Sequence, residues 1–196
     1  MSVKRIVLFA TLFVGGVLVS CQHESGTPKP RGYYRIDFPK KAYKHYDEVC
    51  PYSFDIPVYS KVAPDLSKNA EPCWINVDFP QFNGRIYLTY HQIKGKESLN
   101  HLVEDTRKLA FKHTIKATAI DESLIAKPAE HVYGTYYDID GNTASSLQFY
   151  LTDSTRNFIR GALYFKSQPR IDSIKPVLEF IRKDVDRLIG TFKWKK

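Results

Sequence analysis

No stretch of this 196-residue chain is apolar for long enough to cross a membrane as a helix. The longest uncharged, mostly apolar run is the 14 residues from Ile6 to Val19, and a spanning helix needs about 20. Cysteine is scarce: there are three, Cys21, Cys50 and Cys73. None of them forms a C-x-x-C pair or lies among histidines, which argues against a metal or dithiol redox site. Nucleophile elbow, phosphate-binding loop and dinucleotide fingerprint are all missing. Ser145, Ser146 and Ser154 stand in no context that would mark a nucleophile. There is no internal repeat and no low-complexity tract. The sequence therefore predicts a protein that is not an enzyme.

What is present is a globular composition, 43% hydrophobic, 14% aromatic and 26% charged. Disordered chains lack the aromatic residues needed for a core. Lysine and arginine total 29 against 21 acids, a net charge of +8. The excess sits at the ends. Residues 22–46 hold six basic and two acidic side chains, and Lys193, Lys195 and Lys196 close the chain, whereas residues 47–192 are near neutral. A basic arm and tail on a neutral body do not form the continuous positive groove of a nucleic-acid binder, so nucleic acid is not an expected partner.

The N-terminus reads as an address. Met1–Arg5 is short and basic, Ile6–Val19 suits a secretory signal core, and Leu18-Val19-Ser20-Cys21 resembles a bacterial lipobox. The expectation is acylation of Cys21 (palmitate-type chains) and attachment to the membrane through that lipid. Gln22 rather than Asp follows the cysteine, which by analogy with lipoprotein sorting favours the outer membrane, facing the periplasm. With Cys21 set aside, Cys50 and Cys73 are an even pair in an exported chain, and read as a disulfide. Residues 1–20 are thus expected to be a lipoprotein signal peptide, 21–32 a lipid-anchored flexible spacer, and 33–196 a single domain. That domain begins with an aromatic arm, 33–46, too apolar to float free.

Alternation of apolar and polar residues predicts strands at 52–56, 75–79 and 86–90, then at about 131–139, 143–152 and 157–166. Pro80 and Asn83-Gly84 mark a hairpin with a five-residue loop between the second and third. Helical spacing places Leu99, Leu102, Val103, Thr106, Leu109, Ala110 and His113 on one face, with Ser98 as cap. A second helix carries Ile174, Val177, Leu178, Ile181, Val185, Leu188 and Ile189, with Asp172 or Ser173 as cap, Pro176 in its first turn and Gly190 as stop. The predicted fold is α+β: an antiparallel sheet in the order β-β-β-α-β-β-β-α, packed with two amphipathic helices.

Candidate chemistry is thin. His101, Glu104 and Asp105 share a helix face but lack a third ligand in a metal-protease pattern, so they read as a solvated face. Asp138, Asp140 and Asn142 imitate the start of a calcium loop, yet Phe149 stands where the closing carboxylate belongs, and a tight turn explains Asp140-Gly141 better. No metal and no cofactor is expected. Thirteen tyrosines are the most unusual feature. Tyr33, Tyr34 and Arg35 of the arm, with Tyr133, Tyr136 and Tyr137 of one strand, are the candidate partner surface. Tyr133 and Tyr137 share one face of that strand and Tyr136 takes the other.

Several segments converge on a family. The lipobox at Cys21, Pro28-Lys29-Pro30-Arg31-Gly32-Tyr33, Arg35-Ile36-Asp37, Cys50-Pro51-Tyr52 and Cys73-Trp74-Ile75-Asn76 carry the resemblance in the first half. Gly141-Asn142, Leu151-Thr152-Asp153-Ser154, Gly161-Ala162-Leu163-Tyr164-Phe165 and Thr191-Phe192 with Trp194 carry it in the second. Over nearly the whole mature chain the sequence resembles the gliding motility lipoprotein GldD family of the Bacteroidota. That resemblance implies an envelope lipoprotein required for gliding and coupled to type IX secretion. It implies an assembly or scaffold role beside other envelope proteins, with no enzymatic activity or cofactor. The order of elements is also similar to Mog1/PsbP-like domains, a likeness of fold that carries no function. The alternative reading is a periplasmic glycan- or peptide-binding module that uses the tyrosine-rich surface.

Overall fold

Alternating side chains on the central strands demand burial on both faces, and the chain answers with a helix on each side of one sheet. The computed structural model describes residues 35–195; the expected signal peptide, Cys21, the spacer, Tyr33 and Tyr34 lie outside the described residues. Ten strands are described: β1 (Tyr43–Tyr46), β2 (Tyr52–Pro57), β3 (Lys61–Pro64), β4 (Ile75–Phe79), β5 (Gly84–Gln92), β6 (Ala117–Lys127), β7 (Val132–Gly141), β8 (Ser145–Thr152), β9 (Asn157–Phe165) and β10 (Lys193–Trp194). Helix α1 (Lys96–Phe111) follows β5, and α2 (Ile171–Thr191) follows β9. Seven strands form one antiparallel sheet in the order β3-β4-β5-β9-β8-β7-β6, and β1-β2-β10 form a second, smaller one. The fold is α+β with antiparallel sheets and two amphipathic helices.

On one face of the large sheet, Val77, Ile86, Leu88, Phe149, Leu151, Ile159 and Leu163 pack with Leu178, Ile181, Val185 and Leu188 of α2. Tyr52, Phe54 and Ile56 of β2 join the same core, stacked with Phe192 just beyond α2. The opposite face is covered in part by α1, whose Ala110 packs with Tyr137 and Ile139. Phe149 and Leu151 face α2 while Tyr150 faces α1, as period-2 geometry requires.

The six strands read from alternation are all present, and four more, β1, β3, β6 and β10, occur where alternation is weak. The β4–β5 connection is Pro80–Asn83, four residues rather than five, with Asn83 left-handed at φ 50°. Both helix starts differ from expectation. Helix α1 begins at Lys96 after Gly95, so Ser98 lies inside it. Helix α2 begins at Ile171, before Asp172 and Ser173, and neither side chain caps it. Its first amide is instead capped through space, the Ile171 N–H donating to Asn142 Oδ1 at 2.8 Å. Pro176 consequently falls in the second turn. At the far end the helix runs one residue past Gly190, and the Lys127 ammonium donates to the carbonyls of Gly190 (2.8 Å) and Phe192 (3.1 Å). A cation there also complements the helix dipole.

Cys50 and Cys73 are joined in a disulfide with Cα atoms 5.4 Å apart. It ties the approach to β2 to the approach to β4, closing a loop of 23 residues. On the chain-entropy account such closure stabilises the fold by about 3 kcal/mol. The Cys50→Ala/Cys73→Ala form is expected to unfold at lower denaturant by about that amount with an unchanged native circular dichroism spectrum; equal midpoints would show that the bridge is not stabilising.

Candidate functional site

The arm is held by a buried carboxylate. Asp184 lies on α2 one turn from Ile181 and Leu188, on the stripe that faces the core, and is 2% exposed. An ionised carboxylate at such a position is tolerated only when donors surround it. Three do. Tyr59 Oη donates to Oδ2 at 2.5 Å, Tyr43 Oη donates to Oδ1 at 3.0 Å, and the Lys41 ammonium sits 2.7 Å from Oδ1. Two of these donors, Lys41 and Tyr43, come from the arm. Lys41 also donates to Tyr59 Oη and to the Phe180 carbonyl, both at 2.8 Å, and lies 3.3 Å from the centre of the Phe180 ring. Phe38 stacks on Phe180 with ring centres 4.5 Å apart. Tyr43–Tyr46 then pairs antiparallel with β2, Tyr46 opposite Phe54.

Burial sets the titration of the cluster. It pushes the Tyr43 phenol up to about 12, helped by the hydrogen bond to Asp184, and drives Tyr59 up as well. Burial also draws the Lys41 ammonium down, against the opposing pull of Asp184.

The tyrosines singled out in the sequence part company in the structure. Tyr133 is half-buried in a groove beside α1. Tyr136 turns to the other face and packs with the α2 core, its hydroxyl buried without a partner. Tyr137 is 1% exposed beneath Ala110. Arg35 is exposed. Of the other candidates, His101 pairs with Asp105 at 2.9 Å on the solvent face of α1, Asp138 pairs with Arg182, and Asn142 caps α2. Among the described residues no three His, Cys, Asp or Glu side chains are placed to hold a metal.

Sequence reasoning passed over a cleft of about 860 Å³ lined by Trp194, by the basic Arg156, Lys193 and Lys195, and by the acidic Glu130 and Asp153. Its floor is rigid, because Asp153 Oδ1 accepts from the amides of Thr155, Arg156 and Asn157. The Trp194 indole N–H is buried without an acceptor, while Lys195 pairs with Asp47. Wide, of mixed charge with one positive charge in excess, and bearing an indole, the cleft suits contact with another macromolecule. Asp184 was also passed over, although its signal was present: a single acid inside an otherwise apolar helical stripe.

Removing that acid leaves Lys41 and two phenols without their acceptor. Asp184→Ala is expected to lower unfolding free energy by about 2–4 kcal/mol, less than for a fully buried pair because Lys41 is partly solvated, and to speed amide exchange at 41–46. Unchanged exchange there would dissociate the arm from Asp184. Titration gives a second outcome. The folded value of Tyr43, about 12, lies above the ordinary phenol value of about 10. Its contribution to stability is therefore whole below pH ~10 and lost as pH rises from about 10 to about 12. Tyr43→Phe should flatten this part of the stability profile, measured as denaturant midpoint against pH.

Comparison with known proteins places the chain. The sequence model described as gliding motility lipoprotein GldD matches residues 23–194. No curated protein matches. Among solved structures, the solution structure of cyanobacterial PsbP (CyanoP) from Synechocystis sp. PCC 6803 is similar with a TM-score of 0.47 and 13% identity, covering 86% of this chain and 99% of that one. With a match that runs from just after Cys21 to Trp194, the chain belongs to the gliding motility lipoprotein GldD family.

Proposed function

We propose that the protein is a non-enzymatic assembly component of a gliding or type IX secretion apparatus, held at the periplasmic side of the outer membrane by acyl chains on Cys21. The observation that carries this reading is the family match across residues 23–194, directly after the lipobox cysteine. The arm supports it. Residues 22–32 are polar and, fully extended, span up to about 35 Å, so the body can stand off its anchor. Docking of Phe38 to Tyr46 against α2 and β2 then fixes where the tether enters the body. Such a device positions a rigid surface at a set distance from a membrane, which is work for a scaffold. The cleft at Trp194 gives that surface an aromatic, mixed-charge face on which neighbouring envelope proteins can dock, with Arg156 and Lys193 as its cations.

Two measurements test the reading. Cys21→Ser should lose fatty-acid label and leave the membrane fraction; a mutant that is still labelled contradicts the anchor. Crosslinking of the native lipoprotein followed by mass spectrometry should recover gliding or secretion components, and Arg156→Glu with Lys193→Glu should deplete those linked near the cleft. Recovery of no envelope protein would contradict the assembly role.

A further inference from the structure

The two edges of the seven-stranded sheet are managed very differently. Strand β3 is four residues long and ends in Pro64, which has no N–H to offer, so that edge is closed to pairing. Strand β6 is eleven residues long, pairs among the described residues with β7 alone, and is mostly exposed. Its first part carries a protective irregularity, the bulge between Ala117 and Ala119. The remainder, Asp121–Lys127, is regular and holds Leu124, 89% exposed. Beside Leu124 opens an apolar groove of about 350 Å³, walled by Leu99 and Val103 of α1 and by Tyr133 and Tyr150 of the sheet. A long regular edge with an exposed leucine at its centre is a template for another strand.

The sequence of the edge selects the occupant. Ile120, Glu122, Leu124 and Ala126 lie on the α1 face, opposite Ile139, Tyr137, Thr135 and Tyr133; Asp121, Ser123, Ile125 and Lys127 lie on the α2 face. A two-fold axis normal to the sheet keeps the faces matched, so two β6 strands can meet only about a residue. An axis at Glu122 sets two carboxylates together. One at Ser123 sets Glu122 against Leu124 and Asp121 against Ile125. One at Ile125 leaves only five residues paired. An axis at Leu124 pairs seven, with Leu124 on Leu124, Ser123 opposite Ile125, Glu122 opposite Ala126, and Asp121 opposite Lys127 twice. Asp121 has no ion-pair partner among the described residues, and the Lys127 ammonium, whose donors go to the carbonyls of Ile189, Gly190 and Phe192, places a positive charge at the end of β6 opposite it. This register also leaves the bulge outside the paired stretch.

We propose that β6 is a self-association edge, through which two copies of the chain join antiparallel about Leu124 into one continuous sheet. The two Leu124 side chains meet at the mouths of the two apolar grooves and shield them from water. This inference is independent of the assembly reading above: crosslinks to other envelope proteins without self-links would leave that reading standing and overturn this one.

Cysteine scanning of the intact lipoprotein in its membrane tests it. Directly opposed residues of antiparallel strands have Cα atoms about 4.5–5.5 Å apart, within disulfide reach. Leu124→Cys should yield a disulfide-linked dimer on non-reducing gels, with the two introduced cysteines joined in the linked peptide. Ile125→Cys places its pair about 8 Å apart and should not link, nor should Thr118→Cys beyond the paired stretch. Glu122→Cys and Ala126→Cys should link only when combined in one chain. No dimer with Leu124→Cys, or equal linking at Thr118, overturns the proposal. Because a new cysteine could reshuffle with the native bridge, the mass of the wild-type lipoprotein in detergent is the second readout. Two copies are expected from light scattering and one for Leu124→Lys; a single copy for the wild type overturns the proposal.

Discussion

Asp184 is a carboxylate on the buried stripe of α2, and the placing of the arm, β1 and β2 follows from the need to keep it paired. Well-packed hydrophobic side chains in place of Asp184 and all of its partners together would be about as stable, since the cost of desolvating an ion offsets much of the gain from pairing it. What the carboxylate adds is selectivity. Only a segment that delivers a cation and a phenol at the spacing of Lys41 and Tyr43 satisfies it, so the arm docks in one register and no other. Tyr59 completes the set from the turn after β2, and Phe180 supplies both a ring and a carbonyl to Lys41. The surrounding aromatic stack of Phe38, Tyr59, Phe82 and Phe180 shields these hydrogen bonds from part of the solvent and strengthens them.

The same helix is secured to the large sheet by polar contacts at both ends and at its middle. Asn142, from the β7–β8 turn, takes the first amide; Lys127, from the end of β6, takes the last carbonyls. Between them Arg182 grips Asp138 of β7. Apolar packing against a pleated sheet would allow a helix to slide by a turn with little penalty. Three directional contacts spaced along its length remove that freedom, and with it any ambiguity in where Asp184 meets the arm.

The small sheet joins the first and the last of the described strands. Around β1, β2 and β10 lie the arm, the disulfide and the cleft at Trp194, all bound to one another through β2 and through Lys195, whose amide donates to the Pro51 carbonyl. Strand β6 presents its outer backbone edge with the exposed Leu124, and its last residue, Lys127, reaches the same C-terminal segment at the Phe192 carbonyl.

Much of this architecture was legible as pattern. Alternation located the six strands that are buried on at least one face, helical spacing located α1 and α2, and the leftover pair Cys50 and Cys73 pointed to the bridge. The segments shared with the GldD family from Pro28 onward were read from residue order alone, and the family match over residues 23–194 agrees with them. Strands β1, β3, β6 and β10 escaped because periodicity records burial, and an edge or two-residue strand buries too little to leave a period. The caps of α2 escaped for a different reason. Asn142 is 29 residues from the amide it satisfies and Lys127 is 63 from Gly190, so neither is visible as a local signal. Composition announced a tyrosine-rich protein, but whether Tyr136 and Tyr137 face a partner or the core depended on helices covering both sides of β7. Local order of residues determined the elements; which polar groups meet was decided by the packing that brings distant segments within hydrogen-bond reach.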